Sequence, residues 1–110
     1  MQNVIVNNND TLSSTNIYGT VGTSPVVILA ATTPNAQNLN GINRKALLQI
    51  HNPSNTTFLA ATLDGVAPVI NGAGYTIAPL STFVLDTLVP QGALTLIGSG
   101  SNSPYTLTYM

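Results

Sequence analysis

Arg44-Lys45-Ala46-Leu47-Leu48-Gln49-Ile50-His51-Asn52-Pro53 is the stretch whose reading decides the fold. Ala46, Leu48 and Ile50 fall on one side of an extended chain and Lys45, Leu47, Gln49 and His51 on the other. That period of two marks a strand with one face in a core. Pro53 ends it, because proline lacks a backbone N–H and holds its predecessor extended. Asn52-Pro53-Ser54-Asn55 therefore reads as a turn, with Thr56 to Leu63 returning as the second strand of a hairpin.

Working towards the C terminus, Asp64-Gly65 closes the returning strand as a tight turn. Val66 to Ile70 reads as a brief pairing segment ahead of the turn Asn71-Gly72-Ala73-Gly74. Tyr75 to Ala78 and Ser81 to Asp86 flank Pro79, where a ladder bond is lost and a strand break is expected. Pro90-Gln91-Gly92 turns the chain into Gly92 to Ile97. After the Gly/Ser-rich segment 98–103, Tyr105-Thr106-Leu107-Thr108-Tyr109 alternates strictly, with both tyrosines and Leu107 on one face.

Towards the N terminus, Thr32 to Asn43 is an Asn-rich loop, and Pro25 to Ala31 is an apolar run that reads as a strand covered on both faces. Residues 1–24 have a different texture. Val4 and Val6 alternate with polar residues, Asn7 to Asp10 interrupts, and Ile17 and Tyr18 precede Gly19 and Gly22. Ordering a backbone costs about 1–2 kcal/mol per residue, so these sparse anchors predict an extended arm or edge strand that orders against a neighbour. Turn signals about every 8–12 residues between short strands predict an all-β protein. The expected fold is a single antiparallel β-sandwich, jelly-roll-like, of about seven or eight strands over residues 25–110.

Charged residues make up only 5% of the 110-residue chain, against the roughly 25% usual in soluble domains. Two cations and a net charge of −1 give no basis for nucleic-acid binding, which rests on neutralising phosphates. A surface with so little self-repulsion favours association with other copies or other proteins. Cysteine is absent, so disulfides and thiol chemistry are excluded. The longest apolar run is too short to span a membrane, and Met-Gln-Asn begins no evident secretory signal, so the expectation is a cytosolic product without a membrane partner.

His51 is the single histidine. With Asp64 or Asp86 and a serine it forms a nominal triad, but no Gly-x-Ser-x-Gly elbow positions a nucleophile, and no enzyme activity is expected. Asp10, Asp64 and Asp86 are too scattered to suggest a metal site, and no cofactor is implied. Arg44 and Lys45 are suited to bridging a carboxylate on a neighbouring subunit, or else are solvated edge charges. Tyrosine faces can stack on sugar rings. The alternation of Tyr105 and Tyr109 with Leu107 points instead to packing against a core or a subunit interface.

The succession Asn43 to Asn52, then Ile77-Ala78-Pro79-Leu80-Ser81-Thr82-Phe83, then Gly92-Ala93-Leu94-Thr95-Leu96-Ile97 and an alternating last strand resembles small virion proteins of tailed bacteriophages. The shared pattern is an Arg before a strand ending in Asn, a Pro-Gly turn before Ser/Thr, and a Gly-x-Leu-x-x-Ile strand. It covers about residues 25–110. Leu80 stands where such proteins often have Gly, and residues 1–24 have no counterpart in the pattern. The resemblance implies a structural role, as a capsid decoration (cement) protein on the outside of the head, often a homotrimer, made in the host cytoplasm. Its partners would be the major capsid protein and further copies of itself. The alternative it implies is a head- or tail-fibre module that binds a host receptor or glycan. The interface residues expected on this reading are Val4, Val6, Ile17, Tyr18, Arg44, Lys45, Tyr105 and Tyr109.

Overall fold

Leu48 and Ile50 are wholly buried while Gln49 and His51 are half-buried, so the organising strand has the face its periodicity predicts. A computed structural model describes residues 14–30, 47–87, 89–90 and 92–110. Val4, Val6, Arg44, Lys45 and the loop 32–43 lie outside the described residues. The elements are β1 Thr15–Val21, β2 Val26–Leu29, β3 Leu48–His51, β4 Leu59–Thr62, β5 Tyr75–Ile77, β6 Thr82–Leu85, β7 Leu94–Gly98 and β8 Ser103–Tyr109.

They form two four-stranded antiparallel sheets, ordered β1-β8-β3-β6 and β2-β7-β4-β5. Four of the pairs are nested: β1 with β8, β2 with β7, β3 with β6 and β4 with β5. The chain is thus one long hairpin wrapped into two layers, which is jelly-roll topology. Leu48, Ile50 and Leu107 from one sheet meet Leu59, Leu94 and Leu96 from the other, all wholly buried. Each contributes about 1.5–3 kcal/mol by leaving water. At the side of the sandwich where β5 and β6 lie, Tyr75 stacks on Phe83 with ring centroids 4.5 Å apart, joining the two sheet edges.

The structure corrects three sequence expectations. β3 and β4 do not form a hairpin, because they belong to different sheets and residues 52–58 carry the chain across the sandwich. The reason is Asn52, wholly buried, whose side-chain amide donates to the carbonyls of Thr57 (2.8 Å) and Ile77 (3.1 Å). Its Oδ1 accepts from the Ser54 N–H at 3.1 Å, turning the chain out of the sheet. β2 is not covered on both faces: it is an edge strand with Val26 45% and Val27 57% exposed. An apolar run reads alike in a central strand and at an edge, where part of it faces solvent.

Val66 to Ile70 forms no strand. Val69 donates to the Ala73 carbonyl and accepts from the Gly72 N–H, while Pro68 is wholly buried. Pro68 has no N–H to give a ladder, and the segment folds on itself instead. The Asp64-Gly65 turn does form, with Asp64 Oδ1 accepting from the Val66 N–H and Gly65 at φ 85°.

Candidate functional site

Four of the residues expected at an interface come together on one strand pair. Ile17 and Tyr18 lie on β1, and Tyr105 and Tyr109 on β8, with Gly19 opposite Tyr105 and Ile17 opposite Leu107. They do not share a surface. Tyr105 and Tyr109 are 7% and 5% exposed in the sandwich interior, and Ile17 packs against the same core. Of the two readings that alternation left open for these tyrosines, the fold supplies the core. Tyr105 lies against Gly19 so closely that a Cβ there would sit 2.8 Å from its hydroxyl. Burial raises the Tyr105 pKa above its ordinary value of 10.0.

Tyr18 points the other way and is 72% exposed. On the outer face of this sheet it begins a row that runs through Thr106 and His51 to Thr82, one residue from each strand. His51 Nδ1 lies 2.8 Å from Thr82 Oγ1, and in the next row Thr108 Oγ1 donates to Asn16 Oδ1 at 2.8 Å. No cluster of three or more His, Cys, Asp or Glu suited to a metal occurs among the described residues.

A second surface lies at the end of the sandwich where every connection passes between sheets: residues 22–25, 52–58, 78–81 and 99–102. Backbone bonds lace these loops together. Gly98 donates to the Gly22 carbonyl, Asn52 to Ser81, and Leu80 to Ser54. Phe58 donates to Ser99 Oγ at 2.8 Å, and Ser99 returns a bond to the Phe58 carbonyl at 3.0 Å. Ser54 Oγ accepts from both Thr56 and Thr57. None of these loop residues is charged, whereas Asp64 and Asp86 follow β4 and β6 at the opposite end. Thr57 Oγ1, in this loop cluster, is buried with no hydrogen-bond partner.

Leu80 stands out on this end. It occupies the third position of the turn Ala78-Pro79-Leu80-Ser81, closed by the Ser81 N–H on the Ala78 carbonyl at 3.2 Å. Its φ is 60°, the left-handed region that such a turn normally gives to glycine, and it is 65% exposed. Interface reasoning from sequence passed over it, although the signal was present as a leucine where the resembling pattern has glycine.

A shallow cleft of about 320 Å³ is lined by Thr62, Asp64, Val66, Ala73, Gly74 and Tyr75. Asp64 and Tyr75 both line it, and the Tyr75 ring stacks on Phe83. The fold and these surfaces define a small jelly-roll domain with an uncharged, hydrogen-bonded loop end. Comparisons of the chain with protein-family models, curated proteins and solved structures find no match.

Proposed function

We propose that the chain is a structural protein of a tailed-phage virion, a decoration protein that seats on the outside of the capsid and stabilises it. The observation that carries this reading is the loop end: uncharged, preorganised by backbone hydrogen bonds, and presenting Leu80 on a disfavoured backbone. A permanent protein seat suits such a surface, since an apolar anchor on rigid loops loses little conformational freedom on binding. Low charge and the resemblance point the same way. Binding only to the assembled shell would stabilise it by mass action. The chain before β1, with Val4 and Val6, supplies a further grip. The test is copy number per particle by quantitative mass spectrometry of purified virions: hundreds of copies are expected on this reading and only a few on a fibre reading.

A second reading, a fibre or spike module that binds a host-surface glycan, is favoured by the cleft that Asp64 and Tyr75 both line. A tyrosine and a carboxylate in one cleft are side chains able to contact a sugar ring and its hydroxyls. Screening the protein against a glycan array checks it, and a blank array removes it.

A further inference from the structure

The four sheet edges of the sandwich are not alike. An edge strand presents a row of unpaired N–H and C=O groups, which proteins blunt with short length, proline, charge or a bulge. β2 follows Pro25, and its register slips between Val27 and Leu29. β5 is only three residues long and runs into the Pro79 turn. β6 has four residues and runs into Asp86. β1 carries none of these devices: its seven residues hold no charge and no proline, in unbroken register with β8. Among the described residues, no strand pairs with its outer side. Its central residue is Tyr18, 72% exposed.

We propose that β1 pairs with β1 of a second copy of this chain, antiparallel about a two-fold axis at Tyr18. The two four-stranded sheets then run on as one. This register sets Tyr18 opposite Tyr18 and Asn16 of one copy opposite Thr20 of the other. A two-fold axis places like residues side by side, so a neutral strand is self-complementary where a charged one would repel itself. The paired tyrosines add an aromatic cross-strand contact, which accounts for a large ring standing in solvent on the single chain. A strand of this length spans about 24 Å, which places the interface at the small end of specific ones, so association is reversible. The pairing is two-fold where the resemblance implied a trimer, and it does not rest on the virion reading.

Sedimentation equilibrium of the full chain up to about millimolar concentration tests it, together with amide exchange over residues 15–21. The expected result is a species of twice the 11.4 kDa chain mass that dissociates on dilution, with slow exchange along the whole of β1. Tyr18→Lys and, separately, Thr20→Lys both alter exposed side chains. Each is expected to raise the dissociation constant at least about tenfold and to leave slow only the alternate β1 amides that face β8. A monomer at every concentration, a trimer, or a dimer insensitive to both substitutions overturns the proposal.

Discussion

Leu80 holds a backbone conformation that its side chain disfavours. A non-glycine residue in the left-handed region costs about 1–2 kcal/mol, and Leu80 also leaves most of an apolar side chain in water. Leu80→Gly should therefore stabilise the isolated chain by about 1 kcal/mol, raising Tm by roughly 4–8 °C in thermal denaturation. A fall in Tm would mean that the side chain contributes more to the fold than its backbone costs. Tyr105 makes a second prediction at this scale. Its pKa is raised in the folded chain, so the unfolded chain loses the phenol proton first as pH rises. The stability this group contributes is complete below about pH 10 and lost as pH climbs from there through the folded value. Urea unfolding between pH 8 and 11 should show the decline. Tyr105→Phe should flatten it, and an unchanged slope in that variant would assign the loss to other groups.

Among the elements, the connection from β3 to β4 decides whether the chain forms a flat hairpin or a wrapped sandwich. Asn52 holds that crossing through three side-chain bonds, two of them to carbonyls of separate segments. Asn52→Ala is expected to cost about 3 kcal/mol, because buried partners are left unsatisfied as well as bonds lost. Chemical denaturation measures it, and a cost below about 0.5 kcal/mol would show that the turn is set elsewhere. The strands themselves were legible: alternation placed Leu48 and Ile50 on the core face and set Tyr105, Leu107 and Tyr109 on one face, but left open whether that face met the core or a second subunit. Which strands pair was not, since Asn-Pro-Ser-Asn punctuates a hairpin and a sheet crossing equally well. What separates the two is the reach of the Asn52 amide to Ile77, a contact between residues far apart in sequence. The same distance hid the edge position of β2. Of the candidate surface, Tyr18 was named from the sequence together with Ile17, and only the fold separates the exposed ring from the core residue; Leu80 was visible as a departure from glycine, but its positive φ and its exposure were not.

At the scale of the molecule, the charged residues among those described lie towards one end of the sandwich. Asp64 and Asp86 follow strands that end away from the loop cluster 22–25, 52–58, 78–81 and 99–102, which has no charge at all. An uncharged, hydrogen-bonded end can approach another protein surface without desolvating an ion, the costliest step in burying polar surface. The virion reading therefore assigns contact to that end, and truncation of the preceding chain should stop before Thr15, since β1 completes the sheet. Co-sedimentation with tailed-phage capsids that lack this protein tests the seat most directly, using the wild-type chain and Leu80→Gly side by side. Bound copies should saturate at a fixed ratio to capsid subunits, with Leu80→Gly binding more weakly although it is the more stable fold. Wild-type chain that stays in the supernatant at every concentration, with none in the capsid pellet, would contradict a capsid role.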